Sequence, residues 1–468
     1  MTAVEQRPEQ LTGHLAQQVG EFAAGLRLED VPDEVVERAR HLILDAVGLA
    51  FVTSRRDFAD QAVAAASSLD AGTLPLLGRP ETLTARDAAL VNGVLVHGLD
   101  FDDTHLEAVT HVTASALPAA LSAAVAGGRT GAELLAAYIA GIEVTARVGM
   151  GARGAFHDVG FHPTAVAGAF GSAVAAGKLA GLDAQGIATA QAIVGSMASG
   201  LLEFLEDGSW TKRLHPGWAA QSGIAAAAFA AVGWTGPASV YEGRFGLYNA
   251  HLGPAVARPQ EVADGLGERW ELPRTSVKPY AACHFTHAFI DAALALREQG
   301  GVRAEDVTRI VAGIPVVPGR VVAEPIEVKR NPRSEYDAKF SLPFTIAAAL
   351  VRGRFTLTEL EEDARRDPAI AALAERVEIV DDPDSAFPQA YSGVVTVTTA
   401  DGVSRTRREQ VNRGHETRPL TNDDVVAKFR DNLAVGHDSA TARRVLDAVL
   451  SLGRDDGSAA DFAAACRG

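Results

Sequence analysis

Cysteine, lysine and aromatic residues are scarce in this chain of 468 residues, of which 6% are aromatic. Its two cysteines, Cys283 and Cys466, are too few for a disulfide framework, a four-thiolate zinc site or an iron–sulfur cluster. Basic residues are fewer than acidic ones: the chain has 43 Lys and Arg residues and 59 Asp and Glu residues, which gives a net charge of −16. That charge argues against nucleic acid or an anionic membrane as a partner.

Lysine is far rarer than arginine. The chain has six lysines among its 43 basic residues: Lys178, Lys212, Lys278, Lys329, Lys339 and Lys428. A guanidinium group is always charged and planar, whereas an ammonium group is compact and can lose its proton when it is buried. The sequence therefore raises the question of which of these six places need an ammonium group.

Hydrophobic residues make up 47% of the sequence and charged residues 22%, which is enough apolar material for a large core. The N-terminal segment has no basic stretch followed by an apolar run and so predicts no secretory signal. The uncharged stretch 184–202 is broken by Gln, Thr, Ser and Gly, which is typical of a buried helix rather than a membrane span. We expect a cytoplasmic protein that does not enter a membrane.

The first half of the chain predicts helices. Apolar residues recur with a helical period after Pro32 and Asp33, which suit a helix start. Several segments rich in Ala, Gly and Ser predict helices that pack closely in a large core: 131–148, 163–181, 184–206 and 218–233.

After about residue 270 the pattern changes to α+β. Strands are predicted over 307–317, 376–380 and 393–399, with a hairpin at Asp401-Gly402 and a helix over 338–351. Thr421 then predicts an N-cap for a return to helix. The expected fold is mainly α with an α+β second domain. The expected domains are a helical domain over 1–268, an α+β lid domain over 269–404, and C-terminal helices over 405–468 that return to the helical domain.

Four polar clusters interrupt the apolar segments: HGLDFDDTH at 97–105, GFHPT at 160–164, TKRLHPG at 211–217 and KPYAACHFTH at 278–287. Carboxylates and histidines this concentrated are costly to bury unless they are paired or used in chemistry. The simpler interpretations are a solvated loop, a helix cap and a basic surface turn. Cations near a helix start suit a carboxylate or phosphate, and clustered Lys, Tyr, Cys and His can supply acids and bases.

Two other motifs are less favoured. GMGARG at 149–154 matches the dinucleotide fingerprint by letter, but it follows a helical pattern where that fingerprint needs a strand. A metal-dependent hydrolase built on Asp102, Asp103, His105 and His157 is the least favoured alternative.

Together these segments resemble the MmgE/PrpD family, which contains 2-methylcitrate dehydratases, cis-aconitate decarboxylases and an iminodisuccinate epimerase. The resemblance covers nearly the whole chain and rests on the four clusters, on Thr110-His111 and on RNPRSEYDAKFSLPF at 331–344. It implies a large helical domain, an α+β lid and usually a homodimer with cofactor-free active sites between the domains.

The resemblance, read motif by motif, implies catalytic roles for Asp100, His111, His162, Lys212 and Lys278. The residues expected to contact substrate are Thr104, His105, His215, Cys283, His284, Lys329 and Arg330, and no metal ligand is expected. Two departures stand out. The interval from Thr104 to His111 is one residue longer than in the decarboxylases, so His105 competes for the role of His111. Family members often read CRxTH where this chain has His284 in place of the Arg, which suggests a different substrate.

The expected function is a cofactor-independent lyase that dehydrates or decarboxylates a small polycarboxylate by acid–base chemistry of His, Asp and Lys. The expected partners are a small carboxylate substrate and a second copy of the chain, with no nucleic acid and no membrane. An epimerase of an amino- or imino-dicarboxylate, a divergent biosynthetic enzyme and a non-catalytic binding protein remain as alternatives.

Overall fold

The computed structural model describes residues 14–253, 256–299, 301–387, 389–454 and 456–468. Helices dominate the first half of the chain, as the sequence predicts. They are α1 (Leu15–Gly25), α2 (Asp33–Thr53), α3 (Asp57–Leu69), α4 (Ala85–His97), α5 (Thr113–Ala126), α6 (Gly131–Ala152), α7 (Ala155–Asp158), α8 (Pro163–Leu179), α9 (Ala184–Val194), α10 (Phe204–Asp207), α11 (Thr211–Ala231) and α12 (Leu247–Leu252).

The helix predicted over 184–206 is shorter in the structure. It ends at Val194, and Gly195 follows as its C-terminal cap. The next residues return towards α8, where Leu201 forms a bridge with Phe161. The prediction of one long helix is therefore wrong. The segment is apolar throughout, but only its first part is helical, and the rest forms a turn that packs beside the start of α8.

Strands and short helices alternate in the second region, which confirms its α+β character. The strands among the described residues are β1 (Leu74–Pro75), β2 (Thr82–Leu83), β3 (Thr104–His105), β4 (Thr275–Ser276), β5 (Val307–Gly313), β6 (Val377–Val380), β7 (Gly393–Thr399) and β8 (Ser404–Glu409). The helices are α13 (His287–Glu298), α14 (Val316–Val322), α15 (Ile326–Arg330), α16 (Glu335–Lys339), α17 (Leu342–Arg352), α18 (Glu362–Arg365) and α19 (Pro368–Ala374).

The main sheet has the strand order β6-β5-β7-β8. β5 pairs with β6 in parallel and with β7 in antiparallel fashion, and β7 and β8 form the hairpin predicted at Asp401-Gly402. The strand predicted over 307–317 ends at Gly313, since Pro315 caps the start of α14. β8 continues to Glu409 and so crosses the domain boundary expected after residue 404.

Three C-terminal helices return to the helical core: α20 (Asn422–Ala434), α21 (Ser439–Ser451) and α22 (Ala459–Ala465). Thr421 caps α20 in a capping box with Asp424, as predicted. Phe429 of α20 packs so closely on α2 that a Cβ at Gly48 would lie 2.9 Å from its ring. Buried residues of α20, α21 and α22 therefore share one core with the first helices, and the sheet with α13 and α17 has a second core.

Helix α6 is the one described helix that is long and apolar enough to cross a membrane by length and composition, and its apolar stretch is fully buried in the protein. The small pair β3–β4 joins Thr104 to Ser276, residues far apart in sequence. It therefore brings the acidic 97–105 segment beside Lys278.

Close helix crossings depend on glycine. At the crossing of α4 and α11, a Cβ on Gly217 would lie 2.0 Å from the carbonyl oxygen of Leu90, and a Cβ on Gly93 would lie 2.4 Å from the Cα of Gly217. These atoms belong to helix backbones, which cannot move aside without shifting a whole helix. The two glycines therefore set the distance between α4 and α11.

We expect Gly217→Ala to lower the free energy of unfolding by about 1–3 kcal/mol, because the extra methyl group forces α4 and α11 apart. Chemical denaturation monitored by circular dichroism would measure this. The matched control is Gly25→Ala at the end of α1, where a new Cβ meets no atom within 4 Å. Equal stability of the two variants would show that the crossing tolerates a wider spacing.

Candidate active site

A cavity of about 210 Å³ lies where the α4–β3 loop, the start of α8, the start of α11 and the segment after β4 meet. Its polar lining is Asp100, Thr104, His111, His157, His162, Lys212, Lys278, Cys283, His284, Tyr336 and Tyr391. Its apolar lining is Leu106, Val109, Pro163, Leu202, Phe204, Leu205, Phe285 and Phe340. The cavity therefore gathers side chains from all four polar clusters of the sequence.

Asp100 lies between two ammonium groups. Its Oδ2 accepts a hydrogen bond from Lys212 Nζ at 2.7 Å, and its Oδ1 accepts one from Lys278 Nζ at 3.1 Å. Burial acts to raise the pKa of Asp100, but the two ammonium groups outweigh burial and hold the pKa well below its ordinary value. Asp100 is thus a carboxylate at neutral pH, and its charge balances one of the two lysines.

The carboxylate of Asp102 lies between two imidazole rings. Its carboxylate lies 2.9 Å from Nδ1 of His97 and 3.3 Å from Nδ1 of His111. Burial acts to raise the pKa of Asp102, but His111 and His97 outweigh burial and hold this pKa well below its ordinary value. Because Nδ1 of His111 faces Asp102, the other ring nitrogen, Nε2, faces Asp100 and lies 3.6 Å from the Oδ1 of Asp100.

His111 lies in the middle of this network. Its backbone N–H donates to Thr164 Oγ1 at 3.0 Å, and Thr104 Oγ1 lies 3.5 Å from its Nδ1. Burial lowers the pKa of His111 below its ordinary value, and Asp102 opposes this change. The ring is therefore held in place as a mainly neutral imidazole that can take up and release a proton.

His162 and His215 form a second imidazole pair. His162 precedes Pro163 at the start of α8, and its Nδ1 lies 3.1 Å from Nδ1 of His215 on α11. Burial, with Lys212 nearby, holds the pKa of His162 well below its ordinary value, and burial with His97 and Lys212 lowers the pKa of His215 to about 4. Both rings are neutral at neutral pH. His215 lies behind His162 rather than on the cavity wall, which corrects the expectation that it contacts substrate.

The opposite wall of the cavity is uncharged. Burial raises the pKa of the Cys283 thiol to about 11, so it is a thiol rather than a thiolate at neutral pH. Burial, with His287 and Lys278 nearby, holds the pKa of His284 well below its ordinary value. The buried Nε2 of His284 has no hydrogen-bond partner among the described residues. Cys283 and His284 can therefore offer hydrogen bonds to a substrate, but no charge.

His105 lies away from the cavity, which corrects the expectation that it contacts substrate. It is 1% exposed; its Nδ1 accepts from the backbone N–H of Ala108, and its Nε2 lies 3.3 Å from Glu271. Neighbouring side chains on a strand point to opposite faces, so Thr104 faces the cavity and His105 faces the core.

Two further expected contacts also lie elsewhere. Lys329 Nζ donates to the carbonyl of Val321 at 2.9 Å, and Arg330 donates to the carbonyl of Val377 on β6 at 2.7 Å. Neither is part of the cavity wall, which corrects the expectation that this Lys-Arg pair binds substrate. Among the residues that the structure describes, no arginine lines the cavity.

Comparison with known proteins agrees with this architecture. Residues 17–260 match the MmgE/PrpD N-terminal domain, and residues 280–453 match the MmgE/PrpD C-terminal domain. The chain belongs to the MmgE/PrpD family. It is 33% identical to cis-aconitate decarboxylase of Homo sapiens over 87% of this chain and 85% of that protein. It is 27% identical to cis-aconitate decarboxylase of Aspergillus terreus over 92% of each chain. These relatives support assignment as an MmgE/PrpD lyase.

His97 and Asp102 of this MmgE/PrpD chain were not among the site residues predicted from the sequence. Both belong to the 97–105 cluster, but their spacing of five residues does not indicate that the Asp102 carboxylate contacts the rings of both His97 and His111. His97 is 1% exposed and its ring lies 4.6 Å from that of His111. Both residues act by holding His111.

The same groups could hold a metal ion in geometric terms. His97, Asp100, Asp102 and His111 offer ligand atoms that all lie within 4.8 Å of one another, and so do His97, His111 and His162. However, the oxygens of Asp100 face two ammonium groups and those of Asp102 face two imidazoles, so a cation would have to displace these partners. We therefore retain the absence of a metal as a prediction.

We expect Asp102→Asn to lower the pKa of His111 further, because a neutral amide no longer stabilises the imidazolium form. Nuclear magnetic resonance titration of ring-labelled histidine would measure this pKa directly. The control is His14→Gln, since His14 is exposed and pairs with Glu242 far from the cavity. An unchanged pKa of His111 in Asp102→Asn would contradict the role assigned to Asp102.

Proposed function

We propose that this protein is a cofactor-independent carboxy-lyase that decarboxylates a small unsaturated polycarboxylate of the cis-aconitate type. The observation that carries the proposal is the placement of Lys212, Lys278, Asp100 and His111 around one cavity of about 210 Å³. That volume suits a small metabolite rather than a drug-sized ligand. The names of the relatives favour decarboxylation over dehydration.

The charges in the cavity suit an anionic substrate. Lys212 and Lys278 supply two positive charges, and the negative charge of Asp100 balances one of them. Because the nearby histidines are mainly neutral, the ammonium groups are the main source of attraction for a carboxylate. A carboxylate of the substrate can approach either ammonium group, while Asp100 keeps both in place.

Decarboxylation needs stabilised charge and one proton. The bond between the departing carboxyl group and its carbon breaks, carbon dioxide leaves, and the electron pair remains on the substrate. The adjacent double bond and carboxylate spread this charge, and the ammonium groups stabilise it electrostatically. His111 then donates a proton to carbon and regains one from solvent, so the net reaction consumes one proton.

The alternative that the geometry favours most is an epimerase. The rings of His111 and His162 lie 6.3 Å apart, a separation that lets two imidazoles flank one carbon atom. If one ring, in its neutral form, removed the proton and the other, already protonated from solvent, donated a proton to the opposite face, that carbon would be inverted without loss of carbon dioxide. Exchange of solvent deuterium into the substrate distinguishes this reaction from decarboxylation.

The homodimer is part of the proposal. Large apolar side chains are exposed on α11 and at its N-cap: Trp210 at the cap and Leu214, Trp218 and Phe229 in the helix are each more than two-fifths exposed. Exposed apolar side chains of this size are typical of a surface that another chain covers.

The test is turnover of cis-aconitate, 2-methylcitrate and citrate in the presence of a metal chelator. We expect release of carbon dioxide from cis-aconitate, and a loss of roughly 100-fold or more in kcat/KM for Lys212→Met and Lys278→Met. Lys178→Met is the control, because Lys178 donates to the carbonyls of Ala23 and Leu26 away from the cavity.

Three outcomes would contradict the proposal. Loss of activity with the chelator would show a metal requirement, and dehydration of 2-methylcitrate or citrate without decarboxylation would show a hydro-lyase. Deuterium exchange without net loss of substrate would show an epimerase.

The pH dependence tests the proton donor. Because His111 must be protonated to return a proton, kcat/KM should fall as pH rises through the pKa of His111, which burial places below its ordinary value. Asp102→Asn should move this decline to still lower pH. A base-catalysed dehydration or epimerisation predicts the opposite limb, with kcat/KM falling as pH decreases through the same pKa.

A further inference from the structure

Four consecutive backbone carbonyl groups, those of residues 98–101, each accept a hydrogen bond from a cationic side chain. Arg213 Nε donates to Gly98 at 2.9 Å, Lys339 Nζ to Leu99 at 2.9 Å, Lys278 Nζ to Asp100 at 2.8 Å and Lys428 Nζ to Phe101 at 2.9 Å. Charge-assisted hydrogen bonds of this kind are among the stronger ones in proteins. This carbonyl row is therefore fixed residue by residue.

The four cations come from separate parts of the chain. Arg213 belongs to α11, Lys278 follows β4, Lys339 ends α16 and Lys428 lies in α20. The helical core, the α+β region and the C-terminal helices thus all meet on the same four residues. Lys339 and Lys428 do not line the cavity, so a direct contact with substrate does not account for them.

Both lysines are kept at a considerable cost in solvation. Each is 7% exposed, and burial lowers the pKa of each ammonium group. Lys428 is compensated by Asp45 at 2.7 Å and by the ring of Phe101 at 3.8 Å, and Lys339 by Glu335 at 3.0 Å. These charged groups are arranged around the carbonyl row.

The conformation that the row imposes is unusual. Asp100 has φ +53°, in the left-handed region that non-glycine residues rarely adopt. This backbone turn directs the Asp100 carboxylate to Lys212 and Lys278 while the Asp100 carbonyl faces Lys278. Such a conformation is unfavourable for a non-glycine residue and persists where neighbouring residues hold it in place.

We propose that Lys339 and Lys428 are positioning residues for the reaction: they hold residues 99 and 101 so that the Asp100 carboxylate stays between Lys212 and Lys278. This inference rests on the proposed function, in which Asp100 organises the two ammonium groups. A purely structural role is the alternative, in which loss of either lysine lowers stability and leaves catalysis by the folded fraction unchanged.

The first variant removes Lys428 without leaving a buried charge behind. Lys428→Met alone would strand the carboxylate of Asp45, which is 1% exposed, so the test uses Asp45→Asn/Lys428→Met. We expect Tm to stay close to that of the wild type, because no buried charge is left unpaired. We expect kcat to fall roughly 10- to 100-fold, because a displacement near 1 Å costs about this much. KM should change less than kcat.

The second variant, Lys339→Met, tests the same inference from the other side of the loop. Its partner Glu335 keeps an ion pair with Arg56 at 3.3 Å and so does not become an isolated charge. Lys178→Met is the matched control, since Lys178 is a partly buried lysine that donates to two backbone carbonyls elsewhere. Its kcat should equal that of the wild type.

Hydrogen–deuterium exchange gives a readout that does not need a substrate. The Asp100 N–H donates to the carbonyl of His97 at 2.8 Å, and its exchange should accelerate in both variants and stay unchanged in Lys178→Met. Unchanged exchange, or kcat equal to wild type in both folded variants, would overturn the positioning role. If the wild type turns over no polycarboxylate but exchange still accelerates in both variants, the proposed function is disproved and the role of the lysines in holding the loop is not.

Discussion

The carboxylate of Asp100 brings together two ammonium groups from distant parts of the chain. Lys212 lies 112 residues and Lys278 lies 178 residues further along, yet both reach the same side chain. Two like charges would repel each other in a cavity with little water, and the shared carboxylate offsets that repulsion. The positions of α11 and of the segment after β4 both depend on this contact. The active site is consequently a product of tertiary packing rather than of any one element.

A net charge of −16 is compatible with a cavity that attracts anions, because burial acts differently on its histidines and on its lysines. It holds His162, His215 and His284 in the neutral form, whereas the lysines beside Asp100 have a buried anion that stabilises their charge. The cavity thereby holds charged ammonium groups and neutral imidazoles side by side. The acidic excess lies elsewhere, on side chains that do not line the cavity.

The sequence predicted the fold class, and eight of the twelve residues that it proposed for the site line the cavity, because motifs rich in His, Asp and Lys stand out against apolar helices. It did not predict side-chain direction. Thr104 and His105 are neighbours in a single cluster, but the alternation of a strand sends one to the cavity and the other to Glu271. The spacing of the residues also did not predict that Asp102 would contact both His97 and His111, since these contacts depend on how the loop after α4 turns back.

The scarcity of lysine acquires a physical meaning in the structure. Four of the six lysines donate to residues 99–101, to the backbone or to the Asp100 side chain. Each donates to an oxygen of this segment, and an ammonium group on a flexible chain can do this with one compact charge. A planar guanidinium has five donors, and most of them would lack partners at such a point. Although 37 of the 43 basic residues of the chain are arginine, and Arg213 serves Gly98, the cations that reach residues 99–101 are all lysine.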